Sequence, residues 1–159
     1  MSPMTEPPFT SYDLPDARTL YRARVAAYRT RAEAPDRLAR VMCAHLAAAV
    51  CDILTGSTFR GPFDARWLEM TLHPSGGVVV SGRYWTHAGE CRDLADAGDT
   101  FGMGEWADEL GAWNRDGWSP LCTATDVGHD GTITYRLDLA RAAELPEVLV
   151  EPDQAAERR

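Results

Sequence analysis

The chain contains no lysine: all 16 of its basic residues are arginine. With its abundant Ala, Asp and Gly, that bias marks a GC-rich coding sequence of the bacterial, actinobacterial kind and carries no function. The four cysteines, Cys43, Cys51, Cys91 and Cys122, show no C-x-x-C spacing, which argues against the common zinc and dithiol motifs. With no basic or apolar leader at the N-terminus, they read as reduced thiols in a cytoplasmic protein. No apolar run approaches the roughly 20 residues needed to cross a bilayer, so no membrane span is expected. A Gly-rich phosphate cradle, G-x-S-x-G and H-E-x-x-H are missing as well, which removes the commonest marks of nucleotide binding, serine hydrolysis and zinc proteolysis. The stretch GDTFGMGEW brings glycines together before a helix but follows no clear strand, so it makes a weak nucleotide site.

What is present is a chain of 159 residues with a 45% hydrophobic share and five tryptophans, enough for one domain with its own core. The formal net charge is −8, and it is uneven. Up to Arg60 eight arginines face six acids; beyond it eight arginines face eighteen. An acidic surface repels nucleic acid and anionic membranes and attracts basic partners, although solubility alone also explains it.

Residues 1–14 are rich in Pro, Ser and Thr and are expected as a disordered arm. A single domain over 15–150 and a tail over 151–159 complete the division. Asp16 caps a first helix near 16–33, whose apolar stripe is Leu20, Tyr21, Val25 and Tyr28, with arginines in solvent. Pro35 breaks the pattern, and a second helix runs from about Asp36 to Leu54. It carries Leu38, Val41, Met42, Leu46, Val50 and Ile53 at helical spacing, with Gly56 as its stop, and is the core helix.

Strands follow at Arg66–Leu72 and Val78–Trp85, joined by His73-Pro74-Ser75-Gly76-Gly77. The polar stretch 86–104 is a short strand or an irregular turn. Glu105–Trp113 predicts a short helix with Trp106, Leu110 and Trp113 facing inward. The clearest signal is a hairpin within Gly117–Leu139. There Ile133, Tyr135, Leu137 and Leu139 alternate with polar residues, and Gly128-His129-Asp130-Gly131 supplies the turn. LPEVLVE could add a last extended segment. The expected class is α+β, an antiparallel sheet of two hairpins with helices packed on one face, in the order α-α-β-β-α-β-β.

Chemistry is harder to find. Cys43 and His45, two apart on a helix, point in different directions. His87 and Cys91, four apart in a loop, could form a thiolate–imidazole pair, but plain loop residues explain them as well. No four-ligand zinc set can be assembled, and no metal or other cofactor is expected. Glu90, Asp93, Asp96 and Asp99 recur every three residues without the ligand order of a calcium loop. With Glu105, Asp108 and Glu109 they form a candidate docking surface for a cationic protein. Trp85, in phase with Arg83 and out of phase with Val78, Val80 and Tyr84, is either a hot spot on the open sheet face or a residue buried under the 86–104 loop.

Residues 36–139 as a whole resemble the YezG-like immunity proteins. The likeness lies in a leading helix, a hairpin ending in the aromatic pair Tyr84-Trp85, and a short acidic helix with Trp106 and Leu110. A Trp-led hairpin from Trp118 to Leu139, with Asp130-Gly131 in its turn, completes it. The arginine-rich first helix and the lack of lysine depart from that pattern. The resemblance implies a protein that neutralises a secreted toxin by binding it, with no catalytic residues and, for a basic toxin, a purpose for the acids. The expectation is therefore a non-catalytic, cofactor-free cytoplasmic binding protein that masks a basic protein partner and binds neither nucleic acid nor membrane. The rival is a small enzyme or ligand-binding domain with a pocket between sheet and helices, lined by His87, Cys91, Trp85 and Trp106. A third option is an accessory domain that uses the Tyr21/Val25/Tyr28 helix edge as an oligomer contact.

Overall fold

The computed structural model describes residues 12–31, 34–56 and 63–145. Five antiparallel strands form one sheet in the order β3-β2-β1-β5-β4. They are β1 (Ala65–Leu72), β2 (Val78–Thr86), β3 (Cys91–Asp93), β4 (Cys122–Val127) and β5 (Ile133–Asp138). The two expected hairpins, β1–β2 and β4–β5, are joined through β1 and β5, and β3 extends the β2 edge. The α+β class and the broad element order are as the sequence predicts.

Period-two alternation decides which face is covered. Leu68, Met70 and Leu72 of β1, Val78 and Tyr84 of β2, and Tyr135 and Leu137 of β5 are all buried in the core cluster. Between Leu68↔Tyr84 and Met70↔Val80, β1 advances two residues while β2 advances four. This irregularity keeps the phase of the alternation, and Gly82, at φ 94°, accommodates it.

Helix α2 (Pro35–Thr55) is the spine of the covered layer. Pro35 starts this helix rather than interrupting it, because its missing N–H is one that no first-turn residue uses. Gly56, at φ 61°, ends it by donating its N–H to the Asp52 carbonyl. By length and composition α2 could cross a bilayer, contrary to the expectation from sequence, but 67% of its apolar stretch is buried inside the protein. Val41, Met42, Leu46 and Val50 are fully enclosed. It is a core helix.

Helix α1 (Ala17–Thr30) starts at Asp16, whose carboxylate accepts the Thr19 N–H at 2.8 Å. Its buried face differs from the expected stripe. Leu20, Ala23 and Ala27 face α2, whereas Tyr21 is 57% and Tyr28 38% exposed. Alanines allow the two helices to approach closely, and the bulkier tyrosines are turned out.

The largest departure lies at 103–121. In place of one helix over Glu105–Trp113 there are α3 (Met103–Ala107), a 3-10 turn (Ala112–Asn114), α4 (Arg115–Trp118) and a second 3-10 turn (Ser119–Leu121). Leu110 is fully buried, but Trp113 is 59% exposed. The chain breaks at Gly111, which bridges Gly77 of the β1–β2 turn. There the Ala112 N–H reaches the Gly76 carbonyl at 2.9 Å. Trp118 belongs to α4 and not to the hairpin; it is fully buried, donates its indole N–H to the Gly111 carbonyl at 2.9 Å and meets Tyr135 edge-on. Leu139 opens a short helix, α5 (Leu139–Ala143), capped by Asp138. The expected LPEVLVE segment lies largely, and the 151–159 tail entirely, outside the described residues, as do 1–11 of the arm. Tyr12, at the end of that arm, is buried against Phe63, and its hydroxyl donates to the Ala47 carbonyl.

Candidate functional site

The seven candidate carboxylates lie on the short elements that follow β2. Glu90, in the β2–β3 turn, is held by Arg92 at 2.7 Å, and Arg92 also lies 3.6 Å from Asp64. Asp93 caps the 3-10 turn Leu94–Asp96 by accepting the Ala95 N–H at 2.9 Å. Asp99 accepts the Phe101 N–H at 2.9 Å. These three are therefore partly spent on local structure. Asp96, Glu105 and Asp108 are exposed and, among the described residues, their carboxylates hold no hydrogen bond or ion pair. Glu109 is half-buried, and with Glu105 it lies close enough to α1 that their charge, after burial itself, helps raise the Tyr28 pKa.

From Asp93 to Asn114 the chain has six carboxylates and no basic residue. A negative field results on the surface formed by β3, the 3-10 turn and α3. Among the described residues no three carboxylates, thiols or imidazoles gather into a metal-binding group.

Trp85 meets that surface only at β3, where it pairs with Cys91 and Arg83 pairs with Asp93. Trp85 alternates out of phase with buried Tyr84, so it stands on the outer sheet face, away from α2 and α3. It is half-buried under the Arg136 guanidinium, 3.8 Å from its ring centroid, not beneath the 86–104 loop. Trp67 pairs with it across the β1–β2 ladder and carries Arg66 over its own ring at 5.1 Å. Glu69 accepts a 2.8 Å hydrogen bond from Ser81 and lies 4.0 Å from Arg83. The outer face thus carries an arginine–tryptophan surface in which the Glu69 carboxylate lies between Ser81 and Arg83.

His87 and Cys91, the pocket residues of the rival reading, do not line the cavity between α1 and α2. Both residues are exposed, at the β2–β3 turn and on β3. That open cavity, of about 730 Å³, lies between α1, α2 and the segment before α1, and of the four expected lining residues it holds only Trp106. Alanines 48 and 49 of α2 form part of its wall; Tyr12, Leu14, Leu20 and Phe63 supply apolar surface. His45 also lines it, is only 9% exposed, and stacks on Trp106 with centroids 4.3 Å apart. Its Nε2 is buried and has no hydrogen-bond partner among the described residues. Burial, and then the neighbouring Arg24 charge, push the imidazole pKa down to about 4, so it is neutral at pH 7. Arg24 is half-buried, 5.4 Å from the Trp106 ring and 5.2 Å from the Tyr21 ring. No carboxylate lies within 4 Å of it among the described residues.

Sequence reasoning missed this cluster. His45 gave a faint signal, as an imidazole within the most apolar helix, but its partners Arg24 and Trp106 are remote in the chain. No family model, curated protein or solved structure matched the chain in comparison.

Proposed function

We propose that this chain is a non-catalytic binding module that masks a basic protein partner with its acidic surface, in the manner of an immunity protein or antitoxin. The observation that carries this reading is the run Asp93–Asn114, six carboxylates without a cation, five of them exposed. The carboxylates of Asp96, Glu105 and Asp108 hold no hydrogen bond or ion pair among the described residues, so they are available to a cationic surface. Clustered charge of one sign speeds encounter with a complementary protein and rejects partners of like sign. The resemblance to YezG-like immunity proteins supports the same reading and names the partner class as a secreted toxin met in the cytoplasm.

Affinity capture from the native host tests it, with the wild type and an Asp96→Asn, Glu105→Gln, Asp108→Asn triple variant as parallel baits. The expected result is a stoichiometric basic protein that the wild type retains at low salt and releases near 0.5 M salt (about a 4 Å Debye length), and that the triple variant fails to hold. A captured partner that ignores both salt and the triple substitution would overturn the proposal.

A further inference from the structure

The cavity between α1 and α2 has the size and chemistry of a site for a small organic molecule. Its volume, about 730 Å³, lies inside the range of roughly 300–1,000 Å³ typical of small-molecule pockets. Such pockets combine apolar walls with a few converging polar groups, and this one does so. Two alanines of α2 and the rings of Tyr12, Phe63 and Trp106 give it flat apolar surfaces. Arg24 and His45 supply the polar groups, gathered around Trp106.

Of those groups Arg24 is the one that a ligand can reach: His45 is nine-tenths buried, and its Nε2, without a hydrogen-bond partner among the described residues, is shielded from the cavity. Arg24 has aromatic rings beside it and no carboxylate within 4 Å among the described residues. Its guanidinium edge is thus available to an acceptor, and a carboxylate is the acceptor it fits best, through two parallel N–H···O bonds.

The other charged lining residues narrow the class. Asp13, Asp16 and Asp52 line the same cavity and are exposed, so they stand at its rim. Three carboxylates at the rim disfavour polyanions such as nucleotides, whereas a single negative charge seated at Arg24 is tolerated. We infer that the cavity binds an amphipathic monocarboxylate, its flat apolar body against α2 and the aromatic rings, its carboxylate on Arg24. The acidic surface of the proposed partner interface plays no part in this site.

The test is calorimetric titration of the full chain with three probes of one shape: 2-naphthoate, neutral 2-naphthamide and 2-naphthylmethylammonium. Wild type is expected to bind naphthoate with a Kd on the order of 10–100 µM, the amide more weakly, and the ammonium ion least. Arg24→Gln should weaken naphthoate about tenfold or more and leave the amide unchanged, which removes the preference for charge. Ala49→Phe, which fills the cavity, should abolish binding of all three. Circular dichroism melts check both variants for folding; if Ala49→Phe fails to fold, the loss of charge preference in Arg24→Gln decides. Absence of saturable naphthoate binding, a preference for the ammonium probe, or a naphthoate affinity indifferent to Arg24→Gln would overturn the inference.

Discussion

At the scale of single residues, burial sorts the titratable side chains into silent and responsive ones. Burial pushes the Cys43 thiol up to about 12 and raises those of Cys51 and Cys122, while Cys91 is exposed on β3. Since the thiolate is the reacting form, Ellman's reagent should titrate one thiol of the four rapidly in the native protein, none in Cys91→Ser, and all four in guanidinium. His45 gives a pH signature. Its folded pKa, about 4, lies below the ordinary 6.5, so the unfolded chain binds a proton between those values and the native one does not. Stability is therefore full above pH 6.5 and falls as the pH drops toward 4. Urea unfolding at pH 7.5 and 5.0 should show a loss on the order of 2 kcal/mol, and His45→Gln should remove most of that difference. The outer-face position of Trp85 was legible as a phase, Tyr84 in and Trp85 out. Its cover by Arg136 was not, because that contact depends on how β5 is registered against β1.

Among the elements, the sequence predicts best where one local rule suffices. The β4–β5 hairpin follows from alternation and its Gly-rich turn, and α2 follows from apolar spacing between Pro35 and Gly56. It predicts worst where a tertiary contact outweighs local pattern. Trp106, Leu110 and Trp113 have helical spacing, yet Gly111 is drawn into a bridge with Gly77, which ends any continuous helix. Helix α4 is placed in a similar way, by close approach: a methyl group on Gly117 would lie 2.3 Å from the Asp36 carbonyl oxygen and 2.9 Å from the Ala39 side chain. Backbone cannot yield as a flexible side-chain tip can. Gly117→Ala should therefore displace α4 from α2, loosen Trp118, and cost about 2–3 kcal/mol or more. Chemical unfolding with tryptophan fluorescence measures it. In contrast, a methyl group on Gly104 meets nothing within 4 Å, so Gly104→Ala in α3 should be neutral or slightly stabilising in the same assay.

Over the whole molecule, charge follows the fold more than the order of the chain suggests. Arginine-rich α1 and acidic α3 are far apart in sequence but neighbours in space, with Arg24 over Trp106 and Tyr28 in the field of Glu109 and Glu105. The cavity arises from that same meeting of distant segments, which is why no window of sequence reveals it. Carboxylates at Glu105 and Glu109 are thus partly offset by α1, whereas Asp96 has no arginine bonded to it among the described residues. A net charge of −8 attracts any cation weakly, so the useful measurement is how attraction divides among sites. Fluorescent nona-arginine serves as a generic basic probe. It should bind the wild type with an affinity that falls steeply between 50 and 200 mM salt (Debye lengths of about 14 and 7 Å). Asp96→Asn with Asp108→Asn should weaken binding about threefold or more, while an equal charge change at Asp126 and Asp130, in and after β4 on the opposite sheet edge, should leave it nearly unchanged. Equal losses from both pairs would mean that the probe senses only net charge, and the acidic stretch after β3 would lose its claim to be a docking surface.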